Sequence, residues 1–337
     1  DVNTNGIYDP DHGDYPYIKG DQALYLIFND ARYTHGESTG DSLEFDIHVM
    51  VYGFSSSNYL DNTMFVSYKL VNRSNNNYHD LRAGLFTDFD IGSAFDDYVG
   101  CDTSRNLYFG YNGDDEDGDG NGISYGTSPP AQGVVLLNHS MEKFISILNK
   151  TGAVGDPNQA IEYYNYMKGL WLDGSPITYG DNGYGGAIQT NYMYPGNPTD
   201  TTEWSEVSEN HTPDDRRGLA VLDIGLFNVN DEICFDIAFV WGRTPSGNQN
   251  ESVGIVKSCV DSVQNFYDLN NLSCQWWPNN INEIESTKDQ LLIYPNPTSG
   301  IVKINVENIV KIDVYDITGK TINTVKNKNI LDISSLN

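Results

Sequence analysis

The chain is short of positive charge. Among its 337 residues Lys and Arg total 19 against 47 Asp and Glu, a formal charge of −28. A surface of that sign repels phosphate backbones and anionic lipid, which excludes nucleic-acid and membrane-surface binding and favours divalent cations. No apolar run approaches the ~18 residues a spanning helix needs, so membrane insertion is not expected. Cysteine is scarce: Cys101, Cys234, Cys259 and Cys274 contain no CxxC pair, which leaves zinc and thioredoxin-like chemistry without support. The six histidines form no H-E-x-x-H, so a zincin site is absent. No signal peptide opens the chain at Asp1, and the expectation is that an export signal has been removed.

What is abundant is Tyr (23) and Gly (32), together with Asn, and 12% of residues are aromatic. That bias suits strands joined by turns. In residues 43–51, Leu43, Phe45, Ile47, Val49 and Val51 alternate with Glu44, Asp46 and His48. Residues 233–241 place Ile233, Phe235, Ile237, Phe239 and Trp241 together. Both segments predict strands with one buried face. Further short strands are separated by Gly, Asn and Asp, so the predicted fold is mainly β, a β-sandwich or jelly-roll body with a few short helices. One helix is expected after Asp156-Pro157. Another is expected where Val253, Val256, Cys259, Val260, Val263 and Phe266 recur at helical spacing, a stripe suited to covering an edge of the body. Residues 1–278 form this body, and the polar, aperiodic residues 279–288 read as a linker. A small β-module follows over 289–337, where Pro295 and Pro297 suit an edge strand and Gly319 suits a turn with positive φ.

Three acidic stretches carry the candidate metal sites, with Ca²⁺ as the expected cofactor. Asp1, Asn3 and Asn5 alternate ahead of Gly6, with the Ile7 carbonyl, Asp9 and Asp14 in reach. Oxygens so spaced are how a short loop wraps calcium. Position twelve is His12 rather than Glu, so Asp11 or Asp14 would have to substitute; an Asn/Asp-rich turn is the alternative. Asp88, Asp90, Asp96 and Asp97 crowd one Gly-containing turn, where carboxylates repel unless a cation or hydrogen bonds offset them. Asp117, Asp119 and Asn121 alternate in a Gly-rich acidic loop. Catalytic patterns are weaker. Gly122, Ser124 and Gly126 match G-x-S-x-G, but an acidic run precedes and Ser-Pro-Pro follows where a strand and a helix are required. The adjacent Arg216 and Arg217 are expected to pair with structural carboxylates. A disulfide between Cys259 and Cys274 is expected, with free buried cysteines as the alternative.

The terminal module has a more specific pattern. Tyr294-Pro295-Asn296-Pro297, the strand after Gly300, and the run Val314 to Lys320 with its turn at Gly319 resemble the type A C-terminal sorting domain of bacterial type IX secretion. That family implies a small Ig-like β-sandwich, read by the type IX secretion machinery as an export address and often cleaved. Its members continue with a further strand, so the last strand is expected to be missing here. Blocks of the body, such as residues 6–30 and 86–102, look like large uncharacterised secreted proteins that carry the same domain. Ser42, Thr201 and Ser262, each after an Asp, match a short O-glycosylation pattern resembling the one used by bacteria with this route; ordinary turns give the same triplet. The reading is an exported, non-enzymatic structural or adhesion protein at the cell surface or outside it, with self-assembly or a surface glycan as its contact. The rival is a secreted hydrolase or glycan-binding module.

Overall fold

The structure, a computed structural model, describes residues 18–31, 36, 38–118, 124–274, 293–294, 300–304, 309–315 and 321–334. They fall in two units, one within Ile18–Trp276 and one within Trp277–Asn337. In chain order the first unit runs β1 (Gln22–Asn29), β2 (Phe45–Gly53), β3 (Thr63–Asn72), β4 (Tyr78–Asp88), β5 (Asp97–Asp102), β6 (Leu107–Asn112), β7 (Glu116–Asp117) and β8 (Gly126–Thr127). It continues with β9 (Ala131–Leu136), β10 (Lys143–Leu148), α1 (Ala160–Met167), β11 (Arg216–Phe227), β12 (Glu232–Gly242) and α2 (Gln249–Leu269). Seven strands make one antiparallel sheet in the order β1-β2-β3-β12-β9-β6-β5, and β10-β11-β4 make a second.

Register explains why the two sheets stack. Leu24, Val51, Val66, Ile237 and Leu136 stand side by side across five strands. This face packs on the three-stranded sheet where the Phe144 ring meets Tyr108 of β6 and the Phe45 ring lies edge-on to Phe227. The opposite face presents Phe65, Ala238, Val135 and Leu107 in neighbouring registers. Over it lies α2, whose Val253, Val256, Val260 and Val263 are buried. The helical stripe therefore covers a face of the sheet at β6, β9 and β12, not an edge. Both faces of β12 are consequently buried, where alternation predicts only one. Asp236, on the helix side, is 1% exposed. Its carboxylate accepts from Tyr267 Oη at 2.6 Å, Cys274 N at 2.8 Å and Asn138 Nδ2 at 3.1 Å, and also from Ser67 Oγ. Those donors satisfy a group that would otherwise lose its hydration without return.

The disulfide differs from expectation. Cys274 bonds Cys234 on β12, while Cys259 is a free, half-buried thiol. Helix α2 continues to Leu269, and at 1.5 Å per residue its last ten residues carry the chain about 15 Å from Cys259. That exceeds the Cα separation a disulfide tolerates. The chain then turns back onto β12, where the Cys274 amide meets Asp236.

The second unit holds β13 (Ile293–Tyr294), β14 (Ile301–Ile304), β15 (Lys311–Tyr315), β16 (Thr321–Lys326) and β17 (Ile330–Asp332). They form two small antiparallel sheets, β13-β14-β17 and β15-β16. Val302, Ile304 and Leu331 are its buried apolar residues among those described.

Candidate functional site

Strand β4 ends at Asp88 and β5 begins at Asp97, so the acidic turn caps one end of the sandwich. Cross-strand register sets Asp97 beside Asn112, and both are fully buried. Asp97 Oδ2 accepts from Ile91 N at 3.0 Å, while its Oδ1 has no donor. Asn112 donates through Nδ2 to the Asp114 carbonyl at 3.0 Å, and its Oδ1 also lacks a donor. Asp117, 1% exposed, accepts from Ser93 N at 2.9 Å and from Tyr125 N. Asp96 takes Gly118 N on Oδ2 at 3.0 Å and leaves Oδ1 without a partner. Gly92, at φ +75°, lets the loop close over Asp117; a Cβ there would collide with that carboxylate. Burial first, then the neighbouring Asp96, Asp117 and Asp90, push the Asp97 carboxyl up to about 9. Among the described residues no lysine or arginine forms an ion pair with Asp96, Asp97 or Asp117.

An outer group adjoins this one. Asp88, Asp90 and Asp215 bring carboxylate oxygens within 4.8 Å of one another. Arg217 supplies their counter-charge, with Nε 3.2 Å from Asp88, Nη2 3.7 Å from Asp215 and Nη1 2.7 Å from Asp156. Burial, followed by Asp88 and Asp215, raises the Asp90 carboxyl above its usual range. Its neighbour Arg216 turns inward to Glu206, at 3.0 Å. Both arginines thus meet carboxylates.

Beside these groups is a cavity of about 250 Å³ lined by Trp171, Tyr194, Asp181, Glu206, His211 and Arg216 among others. Glu206 is clamped by Val99 N at 3.0 Å and by Arg216. His211 bridges Glu206 and Asp181, with each ring nitrogen 3.4 Å from a carboxylate oxygen. Of the six named lining residues only Arg216 stood out in the sequence. Trp171, Asp181, Tyr194, Glu206 and His211 sit in the irregular stretch 168–212, which has no periodicity or ligand spacing to reveal them. Glu206, against the opposition of burial, raises the His211 pKa above its ordinary 6.5. A raised imidazole contributes stability that is complete below the unfolded pKa and is lost as pH rises through the folded one. The stability gap between wild type and His211→Gln should therefore be widest below pH 6.5 and close at higher pH. Urea midpoints across that range measure it; a gap that widened with pH would contradict the assignment.

The remaining expected residues are scattered. Asp1, Asn3, Asn5, Ile7, Asp9, Asp14, Asp119, Asn121, Pro295, Asn296, Pro297 and Gly319 lie outside the described residues. Tyr294 lies in β13, paired with Lys303. Ser42 is exposed and donates to the Asp30 carbonyl at 2.8 Å. Thr201 is exposed in a turn where Asp200 accepts from Thr202 N at 2.9 Å. Ser262 lies within α2 and donates to the Ser258 carbonyl at 3.2 Å. Ser124 donates to the Asp117 carbonyl, on a two-strand acidic hairpin rather than on a strand-to-helix elbow.

Residues 292–337 match the secretion system C-terminal sorting domain. The chain is thereby a cargo of type IX secretion, exported to the cell surface or the extracellular space. No curated protein matches the chain.

Proposed function

We propose that the chain is a structural or adhesion protein of the cell exterior rather than an enzyme, stabilised by calcium and working through contact with further copies of itself. The observation that carries this reading is β1. It is one of the two edge strands of the seven-stranded sheet, and its sequence QALYLIFN contains no charge. Leu24, Ile27 and Phe28 are 60%, 54% and 47% exposed. Edge strands are normally protected by lysine, proline or a bulge, and this strand has none of them. In a chain of charge −28 an uncharged edge is where a second copy meets least repulsion, and antiparallel pairing of β1 with its own copy extends the sheet. The double variant Leu24→Lys/Ile27→Lys should remain folded, since both side chains are more than half exposed at the sheet's edge, and should lose association. Light scattering coupled to gel filtration, with electron microscopy of surface material, tests this. Wild-type protein that stays monomeric at its highest soluble concentration would defeat the reading.

The cavity beside Trp171 favours a second reading, a glycan-binding module or hydrolase, because it combines aromatic walls with carboxylates. The pairing of Glu206 with Arg216 supports a structural role for that carboxylate instead. Turnover or saturable sugar binding, sensitive to Asp181→Ala, would favour the second reading.

A further inference from the structure

We propose that the Cys234–Cys274 disulfide is a mechanical lock, which passes a pull on the C-terminal side of the body straight into the middle of the large sheet and leaves α2 unloaded. The export address lies beyond this bond, at residues 292–337, so anything that holds the address draws on the body through Cys274. Only that order along the chain enters, whether or not β1 pairs with a second copy. A bridged segment carries no tension. The bond keeps the Cα atoms of the two cysteines 6.0 Å apart across 40 residues of sequence, and the chain between them, α2 included, stays slack under any pull the bond survives.

The two routes into the body differ in strength. Through the backbone, a pull would reach α2 at its last residue, Leu269. The helix grips the sheet by one stripe, Val253, Val256, Val260 and Val263, while Ser258, Asp261, Asn265 and Asp268 are exposed. Drawn from its end, such a helix comes away turn by turn, each opening costing only its own contacts. Through the sulfurs, the pull enters β12, fourth of the seven strands, which is laddered to β3 from Glu232 to Val240 and to β9 from Ile237 to Gly242. Moving β12 along its axis breaks both ladders together rather than one bond at a time. The surroundings of the bond reinforce the exit. Cys274 N donates at 2.8 Å to Asp236, two residues along β12 from Cys234. The Leu272 carbonyl accepts from the buried Lys19 Nζ, which also donates to Ser67 Oγ of β3 at 3.1 Å.

Full-length protein is stretched in optical tweezers between its C-terminus and a bio-orthogonal handle at the exposed Asn62, just ahead of β3, with the bond intact or opened by dithiothreitol. From there the pull runs along β3 against β12 and shears the pair. The intact body should yield in a single step. The opened body should give way first at α2, at lower force, and only then at the sheet. Its fully stretched length should be greater by about 130–140 Å, the reach of 40 residues at about 3.3–3.6 Å each. That increment certifies that the bond was opened, while the order of events decides. Opened protein that still yields in one step, at the force of the intact protein, overturns the lock, because the Lys19 and Asp236 contacts alone then hold the exit. Opened protein that unfolds before any pull is applied also overturns it, and makes the disulfide a staple required for folding.

Discussion

Deletion of residues 292–337 is expected to abolish appearance of the protein on the cell surface and in the medium, while a folded body accumulates inside the envelope. The address lies in the matched segment. Among the described residues, the buried apolar cluster of the body is drawn from residues between Phe45 and Ile237. The body's two helices and its disulfide also lie before residue 275. Export and folding should therefore separate. Fractionation with immunoblotting measures the first, and thermal melting of the purified truncated chain measures the second. Undiminished export would remove the sorting role from this module. A truncated chain unable to fold would instead show that the body depends on it.

The substitution expected to cost the body most stability is Arg216→Met. Arg216 and Glu206 are buried, with side chains 6% and 1% exposed, and lie 3.0 Å apart. Removing one partner leaves the other as an uncompensated charge in a poorly solvated setting, a loss of about 3–5 kcal/mol. The loss should be smaller in acid, where a charged His211 adjoins the stranded carboxylate. Restoring neutrality with Glu206→Gln in the same chain should recover part of it, since an apolar or neutral replacement of a buried pair is often tolerated. Urea denaturation of wild type, both single variants and the double variant forms the cycle that isolates the coupling. A single variant within about 1 kcal/mol of wild type would mean that water reaches Glu206 and solvates it, as at exposed pairs.

Legibility followed the range over which each signal acts. Alternation across residues 233–241 was enough to place β12, and the spacing of Val253, Val256, Val260 and Val263 was enough to place α2, because side-chain periods of two and 3.6 residues are local geometry. The turn residues and Tyr-Pro-Asn-Pro marked the terminal module in the same local way. The crowding of Asp88, Asp90, Asp96 and Asp97 was also visible, since these residues are neighbours along the chain.

The sequence by itself thus determined the β class of the body, its long helix, the export module and the acidic turn. Only the tertiary structure decided which carboxylates are buried and what answers them. Asp97 reads as one acid of a crowded turn, and nothing marks Asp236 within its alternating strand; their full burial appears only where the β4–β5 turn and α2 close over them. Glu206 and His211 gain meaning from Arg216, Val99 and Asp181, which the fold brings to one cavity wall. Cys274 could be assigned to Cys234, 40 residues away, only once the chain was seen to return from α2 to β12. Burial and pairing of this kind depend on contacts such as Gln249 to Gly113, 136 residues apart. Propensity acts between near neighbours and is silent at that separation; the meeting of such residues is settled by the packing of whole sheets and helices.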